Sequence, residues 1–196
     1  MANTYTQIHI QAVFAVENRN CIIKDSWEES LYKYITGIIQ NHNHKLLAIN
    51  GMPDHLHIFF GFRPLQALSD LMQIVKKDSS KWINRNNLSR GHFSWQDGFG
   101  AFSYSKSHVP SVIRYVMNQK EHHRKKTFTE EYVEMLEKFG VDYDNKYIFK
   151  PVLYEWLEMW TDSNGDRDKW TEKNVISPFV LSLRDNYPYF LIPTNI

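Results

Sequence analysis

The run His55-Leu56-His57-Ile58-Phe59-Phe60-Gly61-Phe62 constrains this chain more than any other segment. Successive side chains of a strand point to opposite faces. Leu56, Ile58, Phe60 and Phe62 therefore point together into a core, and His55 and His57 project together on the other side. The chain must build a sheet with one apolar face and one face carrying two adjacent imidazoles. Such a pair on a rigid strand is a ready metal-binding edge. It also fits a blander arrangement, one satisfied core histidine beside an exposed neighbour.

With 196 residues the chain can bury one good core and a small second unit. Its single cysteine, Cys21, excludes an intramolecular disulfide and any multi-cysteine zinc cluster. No apolar run is long enough to span a bilayer and no signal-peptide pattern opens the chain, so a cytoplasmic location is expected. The formal charge of +1 conceals an asymmetry. Residues 1–150 carry 19 Lys and Arg against 15 Asp and Glu, whereas residues 151–196 carry 4 against 7. The first segment, which also holds all nine histidines, is the one suited to meet phosphate.

Ile8, Ile10, Ala12, Phe14 and Val16 recur at every second position and predict a first strand. Ser26 and Glu29 match a capping box opening a helix through Leu31, Ile35 and Ile39. Leu46 to Ile49 predicts a strand, Gly51-Met52-Pro53-Asp54 a turn, and the histidine segment a third strand. A helix is expected from about Leu65 to Asn84. Phe93 to Trp95 and Phe99 to Ser105 flank Gln96-Asp97-Gly98 and read as a short hairpin. Pro110 opens a helix through about His122, and Thr127 with Glu130 caps another that Gly140 stops. The order β-α-β-β-α-β-β-α-α implies an α+β domain, its mainly antiparallel sheet covered by helices.

Tyr115 and Gln119 fall four apart on the helix expected after Pro110, one above the other, with His122 continuing the stripe. A half-buried tyrosine bonded to a surface glutamine would satisfy the same spacing. Taken with the two histidines, the pair fits a definite chemistry. A phenol can attack a phosphodiester and form a covalent phosphotyrosine. Its ordinary pKa of about 10 means it needs help at neutral pH, which a divalent cation can supply. His55, His57 and the Gln119 carboxamide oxygen would make three ligands, leaving positions for phosphate oxygens.

Four segments in order carry a family resemblance: Pro53-Asp54-His55-Leu56-His57-Ile58, Lys77-Asp78-Ser79-Ser80-Lys81-Trp82-Ile83, Trp95-Gln96-Asp97-Gly98-Phe99-Gly100-Ala101-Phe102-Ser103, and Tyr115-Val116-Met117-Asn118-Gln119-Lys120-Glu121-His122-His123. Over about residues 5–150 the chain resembles the single-tyrosine HUH transposases, the transposase A enzymes of the smallest bacterial insertion sequences. The resemblance implies a ferredoxin-like, HUH-endonuclease type of sheet. It implies an enzyme that cuts and rejoins single-stranded DNA at hairpin-bearing element ends without ATP. By position, Tyr115 would be the nucleophile, His55 and His57 the metal pair, and Gln119 the third ligand. It further implies a homodimer, in which the tyrosine helix of one subunit can complete the other's metal site, and Mg²⁺ or Mn²⁺ as the ion.

Lys77, Lys81 and Arg85 recur every four residues, and Arg124, Lys125 and Lys126 follow the tyrosine helix. Both groups are candidate phosphate contacts, although such stripes are commonly plain solvated faces. Trp95, Phe99 and Phe102 could stack bases, but aromatics around a hairpin are more often core. The resemblance stops near residue 150. Residues 151–196 form an extension of unknown role, with a short helix expected at Pro151 to Trp160 and strands within Val175 to Ile192. Its Asp162-Ser163-Asn164-Gly165-Asp166 turn is a poor match to a calcium loop. Acid beside a DNA-binding core raises the idea of a block on DNA access. Two other readings stay open: a DNA-binding protein that no longer cuts, and a metal phosphodiesterase that activates water.

Overall fold

In the computed structural model, which describes residues 5–17, 23–145 and 148, the chain divides into two units, Met1–Lys120 and Glu121–Ile196. The first unit holds strands β1 (Ile8–Ala15), β2 (Lys45–Met52), β3 (His55–Phe62) and β4 (Gly100–Tyr104). Its helices are α1 (Asp25–Asn41), α2 (Leu68–Arg85) and α3 (Val109–Met117), the last preceded by a 3₁₀ turn at Lys106–His108. The strands form one antiparallel sheet in the order β2-β3-β1-β4. Each helical crossover therefore skips a strand, giving two interleaved split βαβ units, the expected ferredoxin-like α+β arrangement.

Alternation assigns the two faces of the sheet. Ile10, Ala12 and Phe14 of β1 and Leu56, Ile58 and Phe60 of β3 are buried in one apolar cluster. Leu31, Ile35 and Ile39 of α1 and Leu71, Met72 and Val75 of α2 complete it. Trp82 stacks on Tyr34 with ring centroids 5.0 Å apart, joining the two helices. The β2–β3 turn is tight. A Cβ on Gly51 would lie 2.2 Å from the His55 carbonyl oxygen, so only glycine lets the two strands approach there.

Three expectations are corrected. Helix α1 starts two residues earlier than the Ser26–Glu29 box requires: its N-cap is Lys24, with no side-chain cap, and Asp25 and Glu28 supply first-turn acid. The hairpin around Gln96-Asp97-Gly98 does not form. Both arms pair with β1 instead, through a lone bridge of Trp95 with Val16 and then from Gly100 opposite Val13. Three steps along β1 face five along the other segment, and the Asp-Gly turn, with Gly98 at φ +78°, absorbs the excess. The helix expected from Pro110 to His122 is broken: α3 ends at Met117, and a separate turn, α4, spans Gln119–His122.

In the second unit, α5 (Phe128–Lys138) carries the expected capping box. The Glu130 N–H donates to Thr127 Oγ1 at 3.4 Å and the Thr127 N–H to Glu130 Oε2 at 3.1 Å. Gly140 follows at φ +62°. The seam expected at residue 150, the helix and strands expected beyond it, and Cys21 lie outside the described residues.

Candidate active site

Strand β3 places His55 and His57 on the face of the sheet opposite the apolar cluster, both fully buried, their rings edge-to-face at 5.2 Å. Each is held from behind at Nδ1. Asp54, the residue before the strand, lies with Oδ1 2.8 Å from His55 Nδ1. Gln11 of β1 sits opposite Phe59, diagonal to His57, and its carboxamide reaches His57 Nδ1 at 2.9 Å. The other end of that carboxamide accepts a hydrogen bond from the Tyr104 hydroxyl at 3.0 Å. With Nδ1 of each ring engaged by its support, any metal bond from either ring would be made by Nε2.

Helix α3 lies on this face, where Val112 and Val116 pack with Ala48 and Phe59. Tyr115 is part-buried beside them, its ring at 83° to that of His57 with centroids 6.0 Å apart. The backbone N–H of Asn118 bonds back to the carbonyls of Arg114 and Tyr115, closing α3. Gln119 therefore does not stack one turn above Tyr115 on a continuous helix. Contacts on either side fix it instead. Asn50 Nδ2 donates to the Met117 carbonyl at 2.8 Å, and Lys120 Nζ meets Asp25 and Glu28 of α1, each at 3.1 Å. Between these anchors Gln119 is fully buried.

The candidate phosphate contacts separate into two groups. Lys77, Lys81 and Arg85 are all exposed along one side of α2, as their spacing predicts. In the second unit, Arg124 pairs with Glu121 at 3.1 Å and Lys126 with Glu134, while Lys125 is exposed. His123 and His122 face the buried Glu131 at 3.1 and 3.5 Å. Trp95 and Phe102 are core residues. Trp95 packs edge-on against Phe14 and donates its indole N–H to Ser79 Oγ at 2.9 Å. Lys76 Nζ donates to the carbonyls of Gln96 and Gly98 at 2.6 and 2.7 Å, and burial lowers its pKa against the opposing pull of Asp97. The second and third segments that carry the resemblance thus interlock to brace the edge of the sheet.

Sequence reasoning missed Gln11, Asp54, Tyr104, Asn50 and Lys120. Asp54 and Lys120 stand inside segments that carry the resemblance, and Gln11 left a signal as the one polar residue of the stretch Ile10 to Val16.

The antiparallel ferredoxin-like sheet thus carries two buried histidines on one strand, with the tyrosine helix across them. The family model "Transposase IS200 like" matches residues 4–119, and the chain belongs to that family of DNA-cleaving enzymes. Among solved structures it is similar to a candidate transposase from Deinococcus radiodurans R1, at 18% identity over 61% of this chain and 95% of that one, with a TM-score of 0.48. It is also similar to a REP-associated tyrosine transposase bound to a REP hairpin, at 13% identity over 63% and 73% of the two chains, again with a TM-score of 0.48. No curated protein matches it. Among the described residues no helix is long and apolar enough to cross a membrane.

Proposed function

We propose that the protein cleaves and rejoins single-stranded DNA at insertion-sequence ends through a covalent phosphotyrosine on Tyr115, with a divalent metal at His55, His57 and Gln119. One observation carries the reading: the Tyr115 ring stands 6.0 Å from that of His57, itself paired with His55 and held at Nδ1. Two imidazoles directed by partners at Nδ1, with a buried carboxamide as third donor, suit Mg²⁺ or Mn²⁺. When bound, the ion supplies charge that polarises the phosphodiester and lowers the barrier to attack.

The Tyr115 oxygen loses its proton and forms a bond to phosphorus, while the bond from phosphorus to the 3′ oxygen breaks. One DNA end then stays on the enzyme as a 5′-phosphotyrosine and the other leaves as a 3′-hydroxyl. Attack by a 3′-hydroxyl on the phosphotyrosine reverses the exchange, reseals the strand and returns the phenol. No high-energy bond is consumed, because one phosphodiester replaces another. Lys77, Lys81 and Arg85 would follow the DNA backbone on α2, with Arg124, Lys125 and Lys126 as a second group. The enzyme works as a homodimer. Tyr115 serves the histidines of its own subunit or of the other.

The test uses the full chain, Mn²⁺ and single-stranded hairpin oligonucleotides spanning the sequences that flank the gene. A protein–DNA adduct that survives denaturation is expected, with none from Tyr115→Phe, whose missing hydroxyl removes the nucleophile. Cleavage that persists in Tyr115→Phe would establish a water-activating phosphodiesterase. Binding without cleavage by the unaltered protein would establish a DNA-binding relative that no longer cuts.

A further inference from the structure

We propose that Gln11 is a positioning residue for His57, selecting the imidazole tautomer that can bind the metal. The inference rests on the metal reading of the site given above. Gln11 is fully buried in the central strand, between His57 Nδ1 at 2.9 Å and the Tyr104 hydroxyl at 3.0 Å. A half turn of its carboxamide exchanges nitrogen and oxygen without moving any other atom.

The two orientations differ in chemistry. In one, Gln11 Nε2 donates to His57 Nδ1 and Tyr104 donates to Gln11 Oε1. The ring proton of neutral His57 is then on Nε2, which has no lone pair to offer a cation. In the other, His57 Nδ1–H donates to Gln11 Oε1, and Gln11 Nε2 donates to the Tyr104 oxygen. The His57 Nε2 lone pair is now available. Both hydrogen bonds exist in both states because a phenol can donate or accept.

His55 is treated differently. An ionised carboxylate only accepts, so Asp54 holds His55 with its proton on Nδ1 in every state. One ligand of the pair is preset, and the other waits on an amide that can turn over. Metal loading at His57 therefore carries Gln11 into its oxygen-inward orientation and turns Tyr104 from donor to acceptor. Burial raises the stakes, since no bulk water replaces a bond lost between these groups.

The experiment measures Mn²⁺ affinity of the full-length protein without DNA, from the electron paramagnetic resonance of free Mn²⁺. The variants are Gln11→Leu, Gln11→Glu and His57→Ala. Gln11→Leu removes the acceptor and should weaken binding about 10- to 100-fold. Gln11→Glu offers only an acceptor and should bind at least as tightly as the unaltered protein. Imidazole ¹⁵N spectra of that variant should show the His57 proton on Nδ1, with the resonance identified by its loss in His57→Ala.

A merely structural glutamine predicts the reverse order, since a buried leucine is tolerated and a buried carboxylate is not. Leucine binding as well as glutamine, or better than glutamate, would overturn the inference and leave the site reading intact. If Gln11→Leu fails to fold by circular dichroism, a tenfold loss in Gln11→Glu overturns it as well. An unaltered protein that binds no Mn²⁺, or binds it equally after His57→Ala, overturns both.

Discussion

The two faces of the central sheet are made by the same strands and obey opposite rules. On one face Ile10, Ala12, Phe14, Leu56, Ile58 and Phe60 meet two amphipathic helices, and stability comes from apolar area removed from water. On the other, Gln11, His55 and His57 are equally buried, yet they are held by specific bonds: Asp54 at His55, Gln11 at His57, and Tyr104 at Gln11. The first face tolerates exchange of one hydrocarbon for another of similar volume. The second does not, because its groups matter for where a proton or lone pair sits. A period of two lets a single strand serve both purposes, since a substitution on one face leaves the other face's side chains in place.

The largest effect should come from breaking the apolar face. Phe60→Ala removes a fully buried ring and should cost about 3–5 kcal/mol in urea unfolding. Mn²⁺ binding, measured where that variant is still folded, should be unchanged. A loss of binding without loss of stability would show that the faces are not independent. Ser79→Ala should cost about 1–3 kcal/mol, because the buried Trp95 indole N–H loses its acceptor. Its DNA adduct should still form, which identifies this motif as bracing and not chemistry. An adduct lost in a stable Ser79→Ala protein would contradict that assignment.

The smallest effect is in pH dependence, and it sharpens the contrast at the sheet's end. His44 stacks on Phe62 at 5.0 Å, and its Nδ1 accepts the Arg63 N–H at 3.1 Å, a bond that only a ring without a proton on Nδ1 can make. Burial, with His42 and Arg63 nearby, lowers its pKa from 6.5. The unfolded chain therefore binds this proton more readily than the folded one. Its stabilising contribution is complete above about pH 6.5 and is lost as pH falls from there through the lower folded value. His44→Gln, which keeps an acceptor, should flatten the slope of stability against pH below about pH 6.5. An unchanged slope would remove His44 from the account.

Much of the sheet was legible because period-two alternation is a strong, local signal: β1, β3 and the two faces followed from Ile8 to Val16 and His55 to Phe62. The Thr127–Glu130 box was legible for the same reason, being a local exchange of two hydrogen bonds. What sequence misplaced depends on distant partners. The Asp-Gly turn is real, but its arms pair with β1, because that strand needed a second neighbour and Trp95 had Ser79 within reach. The break at Asn118 lies between good helix-forming residues and follows from where Asn50 and Lys120 pin the chain. Gln11 could not be found from His57, 46 positions away, without knowing that β1 lies beside β3.

The sheet order has a consequence for how the protein is made. Strand β1 is the first synthesised and one of the two innermost, so neither of its edges can pair until β3 exists, and one waits until residue 104. During translation the most connected strand is thus the longest without neighbours, and its closing contacts join residues far apart in sequence, the kind that form slowly. The stretch bearing Tyr115 emerges only after all four strands have been made. The chain order thus assembles the support first and adds Tyr115 after it.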